Sequence, residues 1–374
     1  MVLRTASFMF LAASLSTAAH ADIRSFNAAV SAGDYRGATV VAGQTWPTVD
    51  RASPNAAPIA REFAWVAMLA GEPSSALVYS RFLVEQGGQL PHPDAAPAVS
   101  RILHDWATLE AAASPQARAN LLASLNARAT MVGRDLVAPR ASQALFAEAW
   151  AAGDWSQAES AAMYANRFLD DLKATNIAAR YEARRSQAMA NFMRTKSPDA
   201  YTALYDIAGE VHDQIAAAPA GPARVRLAIE YYAATAWGDA IQGALASARR
   251  PVTDRKQSIG AGRPSIAELL YPAPGEASLP RCRIGLAPGS KSPGFPFVSR
   301  FKDLAGSVTY AAEVAPNGLL ANPRLLAWAP HADFVRETGS VQSSWRWRIE
   351  GGVQPPACRL PTVHILTFEF ALGR

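Results

Sequence analysis

The chain has 374 residues, 50% of them hydrophobic and 18% charged, enough for a sizeable core and too little charge for a solvated disordered tail. The formal charge of +5 is uneven: Asp22 to Arg250 carries 21 basic and 22 acidic residues, and Pro251 to Arg374 carries 14 and 9. A whole-molecule trap for nucleic acid is excluded on that distribution, and two cysteines are too few for a disulfide scaffold or a four-cysteine metal site.

Residues 1–21 read as a signal peptide. Arg4 precedes an apolar run from Ala6 to about Leu15, and Ala19-His20-Ala21 forms a small-residue cleavage site before Asp22. The apolar run is about half the ~20 residues needed to span a bilayer. No later stretch is long and apolar enough, so the expectation is a mature chain without a transmembrane segment, periplasmic or secreted.

Residues 22–250 read as an all-α, repeat-like domain. Alanine makes up about a quarter of it and about an eighth of residues 251–374, and alanine is the best helix former. Phe63, Val66, Ala67 and Ala70 fall at helical spacing, as do Ala76, Tyr79, Phe82 and Leu83. Leu145, Ala149 and Ala152, then Ala158, Ala162, Ala165 and Leu169, continue the pattern, and Leu227, Ile229, Tyr231 and Ala234 give a third case. Turns are expected at Gly33-Asp34, Gly71-Glu72, Gly153-Asp154 and Gly238-Asp239. In each, glycine supplies a left-handed cap and the acid opens the next helix. An alanine comes after each turn, at Ala38, Ala76, Ala158 and Ala240. These segments resemble the tetratricopeptide-type helical hairpin, although the spacing is irregular: 38 residues from Gly33 to Gly71, then 82 to Gly153. The resemblance implies a degenerate solenoid of nine to eleven helices.

Residues 251–295 are rich in proline and glycine and read as a linker, with one or two helical turns at Ser265–Tyr271. Residues 296–374 read as a small α+β domain. Val308, Tyr310, Ala312 and Val314 alternate on one strand face. Ala315-Pro316-Asn317-Gly318 predicts a hairpin turn, and Leu319–Leu326 the return strand, with Pro323 confining it to an edge or bulge. Phe334, Thr338, Val341 and Trp345 form one helical stripe. Trp345-Arg346-Trp347-Arg348 alternates as a strand with tryptophans inward and arginines outward. Thr362–Leu372 is the last strand, with Val363, Ile365, Thr367 and Glu369 on one face and His364, Leu366, Phe368 and Phe370 on the other.

The ordered set Gly306-x-Val308, Asn317-Gly318, helix, Trp345-Arg-Trp347 and Phe368-Glu-Phe370 resembles the TonB C-terminal domain over about residues 296–372. That resemblance implies a sheet that accepts an extended peptide by strand addition, and a protein or peptide partner such as an outer-membrane TonB-dependent transporter. Two features depart from the family's energy transducers. A cleavable signal stands in place of their membrane helix, and a helical domain in place of their Pro-rich spacer. The resemblance therefore carries the fold further than direct coupling to a proton-driven motor.

In an exported chain Cys282 and Cys358 are expected to pair, closing a loop of about 75 residues that contributes roughly 4–5 kcal/mol. The pattern offers no active site. His92, His104, His212, His331 and His364 form no H-E-x-x-H, and there is no G-x-S-x-G or Walker loop. Ser299-x-x-Lys302 matches a short acylating pattern without its companion motifs. His331 beside Asp333 reads as a cap neighbour, and Asp170-Asp171 as a solvated helix face. Arg281, Arg283, Lys291, Arg300 and Lys302 form a basic tract, read as a linker or as a contact for anionic envelope polymers. The expected function is a non-catalytic periplasmic interaction protein without cofactor, metal or nucleic-acid partner. A peptide is expected to lie along the last strand beside Arg346, Arg348, His364, Thr367 and Glu369. The other readings are a peptidoglycan-related envelope enzyme and a purely structural helical scaffold.

Overall fold

The computed structural model describes residues 17–86, 97–131, 135–172, 177–219, 221–250, 252–253, 255, 259, 264–270, 282–296, 305–315, 319–330, 332–350, 357–358, 360 and 363–370. These contain thirteen helices and a small antiparallel strand region at the C-terminal end. The chain divides into two compact units, Met1–Ala174 and Thr175–Arg374.

The first unit holds α1 (Thr17–Ala32), α2 (Tyr35–Thr45), α3 (Ala56–Leu69), α4 (Pro73–Gln86), α5 (Pro97–Ala111), α6 (Pro115–Ala129), α7 (Val137–Ala151) and α8 (Trp155–Asp171). The alanine-rich start of α1 runs through the expected cleavage site at Ala21/Asp22, and residues 1–16 lie outside the described residues. Three predicted glycine turns are present and share one geometry. Gly33, Gly71 and Gly153 have φ of 79°, 72° and 72°. Each following acid sends its N–H back five residues, to Ala29, Ala67 and Ala149, at 2.9 Å. This is the Schellman closure, which needs a left-handed residue that glycine adopts without strain. Asp34 and Asp154 then cap the next helices through Gly37 N–H and Gln157 N–H. The alanines beyond the turns, Ala38, Ala76 and Ala158, are fully buried.

The 82-residue gap holds one further hairpin, α5–α6. Between Gly71 and Gly153 the α5–α6 turn is built by Ser114, which caps α6 through Ala117 N–H and is followed by Pro115. A Ser-Pro start replaces the Gly-acid signature, so the glycine pattern carries no sign of this hairpin.

His104 on α5 hydrogen-bonds Ser80 on α4, at 3.2 Å from Nδ1. Burial lowers its pKa, aided by Arg101 and Arg81 and opposed by Asp105 and Glu85. The unfolded imidazole titrates near 6.5, so the folded chain resists a proton that the unfolded chain accepts. Stability is untouched by this group above about pH 6.5 and falls as the pH drops from there towards the folded pKa. Urea midpoints at about pH 7.5 and pH 5.5 check it: His104→Gln should lose less stability on acidification than the native chain.

The second unit begins with α9 (Ile177–Thr195), α10 (Asp199–Ala217) and α11 (Pro222–Ser247). Here one predicted turn is corrected: Gly238-Asp239 lies inside α11. The glycine serves a close approach instead. A Cβ at Gly238 would strike the Tyr205 ring of α10, whose hydroxyl donates to Asp239 Oδ1 at 2.5 Å. Ile229, placed on the predicted apolar stripe, is exposed, whereas Leu227 and Ala234 are buried. The short helix α12 (Ile266–Leu270) falls within the predicted one or two turns. It is strapped to the α10–α11 turn by Arg224, which donates to the Ala218 carbonyl and, at 2.8 Å, to the Leu269 carbonyl. His212 Nε2 lies 2.9 Å from the Pro264 carbonyl on the same strap.

The strands are β1 (Ile284–Leu286), β2 (Gly306–Val314), β3 (Leu320–Ala329), β4 (Trp347–Ile349) and β5 (Val363–Phe370), with α13 (Asp333–Val341) between β3 and β4. β2, β3 and β5 form an antiparallel sheet in the order β3-β2-β5, and β1 pairs with β4 in a separate ribbon. The Asn317-Gly318 turn lies outside the described residues; on its flanks Ala315 N–H bonds the Leu319 carbonyl. One face of β2 presents Val308, Tyr310 and Ala312 to Phe334, Trp345, Leu366 and Phe370. Trp345 stacks on Phe368 at 4.6 Å, and the Tyr310 hydroxyl meets Thr338 Oγ1 at 2.7 Å.

The other face of β2 is also buried, at Ser307, Thr309 and Ala311. Helix α11 packs against β2 and β3. A Cβ at Gly243 would sit 2.8 Å from that of Ala305, which shares the parity of those residues. The composition shift at residue 250 therefore marks the end of the long helices, while α9–α11 share a compact unit with the sheet. A sheet with small, buried residues on its second face needs a cover, and α11 supplies it.

Gly306 explains the first motif residue physically. A Cβ there would lie 2.5 Å from the ring of Phe334, which is fully buried. Gly306→Ala is expected to cost about 1–3 kcal/mol by overpacking, read as a fall in the denaturant midpoint without a change in slope.

Candidate peptide-docking site

A strand-addition site needs a sheet edge with unspent backbone groups. The edge at β3 is blunted. Register shifts flank Thr309/Tyr310 and Ala311/Glu313, Asn322 adopts φ 49°, and Pro323 offers no N–H. At its start, Leu319 is already bridged to Arg346.

β5 is the opposite edge, and its register with β2 runs from Gly306↔Phe370 to Glu313↔Val363. The predicted alternation is present: Leu366, Phe368 and Phe370 pack in the core, while Thr367 and Glu369 are exposed. Thr367 Oγ1 lies 3.2 Å from Thr309 Oγ1, and His364 pairs in register with Ala312. Helix α12 packs against β5.

The predicted site residues separate into two groups. His364, Thr367 and Glu369 sit on β5. Arg346 and Arg348 are exposed as expected, with Trp345 buried and Trp347 half-buried beneath them, but they belong to the β4 segment on the β3 side. Register explains this: the helix and the 3-10 turn at Gln342–Ser344 return the chain beside the start of β3, where Leu320 N–H reaches the Trp345 carbonyl. The strand partner of β4 is β1, which falls in the stretch expected to be irregular linker. Its only sequence signal is a three-residue Ile-Gly-Leu run, too short for periodicity.

Cys282 and Cys358 are bonded, with Cα atoms 4.9 Å apart. Both are buried beside Ile284, on the apolar side of the ribbon with Trp347 and Ile349.

Among the described residues no group of three His, Cys, Asp or Glu side chains is placed to hold a metal. Asp170 and Asp171 end α8, and Asp333 pairs with Arg336 at 3.2 Å on α13. Ser299, Lys302, His331 and His92 lie outside the described residues, as do Arg281 and Arg300. No described helix is long and apolar enough to cross a membrane. No family model matches the chain, and neither does any curated protein or any solved structure.

Proposed function

We propose that this chain is a cell-envelope interaction protein whose C-terminal α+β unit receives an extended segment of a partner protein by strand addition, while its helical hairpins serve as scaffold. The observation that supports it most is the order β3-β2-β5. A sheet anchored on both faces carries β5 as its outer strand, and the other outer strand is bulged and proline-bearing. The buried disulfide is compatible with an oxidising, extracytoplasmic compartment. The resemblance of residues 296–372 to the TonB C-terminal domain adds the partner class, a segment of an outer-membrane TonB-dependent transporter.

The test is hydrogen exchange on the full chain with and without a synthetic peptide from such a transporter. Protection of the Val363–Phe370 amides on binding is expected. Binding that protects only the hairpins of the first unit overturns the reading and favours a scaffold whose sheet is structural.

A further inference from the structure

The β1–β4 ribbon has an edge, on β1, that no strand among the described residues pairs, and it lies beside a row of cations. Its register sets the faces. Ile284 pairs with Ile349 and Leu286 with Trp347, and these side chains turn towards the core and the disulfide. Gly285 pairs with Arg348, and the next outward positions are Arg283 beside Glu350 and Ala287 beside Arg346. Ser290 Oγ accepts the Arg346 N–H, and Lys291 N–H donates to Ser344 Oγ, so the backbone of a fourth cationic residue is held beside the end of the ribbon. Arg283, Lys291, Arg346 and Arg348 are all exposed, and none is joined to a carboxylate among the described residues. Glu350 is the one acid on this face among the described residues, and its carboxylate lies over Gly285.

The backbone direction is set by two bonds. Glu350 N–H reaches the Arg283 carbonyl at 2.8 Å and Ala287 N–H reaches the Arg346 carbonyl at 2.7 Å. In an antiparallel pair the bonded positions alternate, so Arg283, Gly285 and Ala287 direct their polar groups at β4. Ile284 and Leu286 direct theirs away from it, to the side of β1 where no strand lies among the described residues. The outward residues of β1 nearest β4 are glycine and alanine. The small Ala287 leaves Arg346 room to reach across β1, whereas the space over Gly285, opposite Arg348, is taken by the Glu350 carboxylate.

We infer that this edge of β1 is a docking site for an extended acidic peptide, which adds as a third strand to the ribbon while Arg346 and Arg283 pair with its carboxylates. Main-chain bonds to Ile284 and Leu286 set the register, and the cations select the charge. Charge also argues against a second copy as occupant, because pairing two β1 edges sets two arginine rows side by side. The site is distinct from β5 and stands whether or not β5 binds a partner.

The test uses the full, oxidised chain and a fluorescent eight-residue peptide of alternating glutamate and threonine. An N-methylated twin of equal charge and vesicles containing phosphatidylglycerol serve as competitors. The peptide should bind with strong salt dependence and protect the Ile284 and Leu286 amides from exchange, leaving Val363–Phe370 unchanged. Arg346→Glu with Arg348→Glu should weaken binding about tenfold or more and flatten the salt dependence, and Glu350→Gln should tighten it. Leu286→Pro removes one outward N–H that β4 does not use and should also weaken it about tenfold, as should N-methylation. Retention of the disulfide and of the near-ultraviolet circular dichroism shows that each variant is folded. Equal binding of the N-methylated twin overturns strand addition. Preference for the vesicles, insensitive to Leu286→Pro, overturns it in favour of a lipid surface. Protection at Val363–Phe370 alone assigns the peptide to β5 and refutes the ribbon site, as does absence of binding at about 1 mM peptide in low salt.

Discussion

Replacing Cys282 and Cys358 with serine should lower the stability of the C-terminal unit by about 4–5 kcal/mol. The bond joins residues 76 apart in sequence, so it removes a large loop-closure entropy from the unfolded chain. It also ties down an element that is weak alone. β1 and β4 contribute three residues each, and an isolated two-stranded ribbon is marginal in water. Both cysteines are buried among Ile284, Trp347 and Ile349, so serine hydroxyls there would add a desolvation cost. Denaturant unfolding of the native and doubly substituted chains measures the effect, and hydrogen exchange locates it. The ribbon amides should lose protection first. A loss below about 1 kcal/mol refutes the entropic account.

Arg128→Ala should cost the first unit about 3–5 kcal/mol. Arg128 and Asp135 are both almost fully buried, and two guanidinium nitrogens, Nε and Nη2, converge on Asp135 Oδ2 at 3.0 and 2.8 Å. Nη1 donates to the Met131 carbonyl, and the guanidinium lies 5.9 Å from the Phe168 ring centre. The second Asp135 oxygen accepts from Ala138 N–H at 2.7 Å, at the start of α7. Removing the arginine strands a buried carboxylate at a helix entry. Arg128→Met with Asp135→Asn should recover part of the loss, because no unpaired charge remains. Denaturant midpoints of the two variants decide it. If the double change is as damaging as the single one, packing rather than charge pairing carries the effect.

The helical hairpins are legible in the sequence because their turns are local. A Gly-acid pair with an alanine four residues on states both a left-handed cap and a close helix contact, and it holds at Gly33, Gly71 and Gly153. The Gly-acid pair alone fails at Gly238-Asp239, where Ala240 follows at once and the position four residues after the acid is Gly243. There the glycine makes room for Tyr205, a residue 33 positions earlier, and sequence does not distinguish a glycine needed for its φ from one needed for its missing Cβ. The strand β2 and the alternation in β5 are readable from period-two patterns that the core enforces.

By itself, then, the sequence determined the three helical hairpins with Gly-acid turns, the strand faces, the cysteine pair and the outward arginines, since each depends on neighbours within a few residues or on a count of two. Tertiary structure decided which strand each element pairs with and what covers each face. The arginines of the Trp345–Arg348 run joined β1 and not β5, because pairing is chosen by where the preceding helix returns the chain. The long α11 covers the sheet because Gly243 and Ala305 permit the approach, and a buried second face of β2 is stable only when something lies against it.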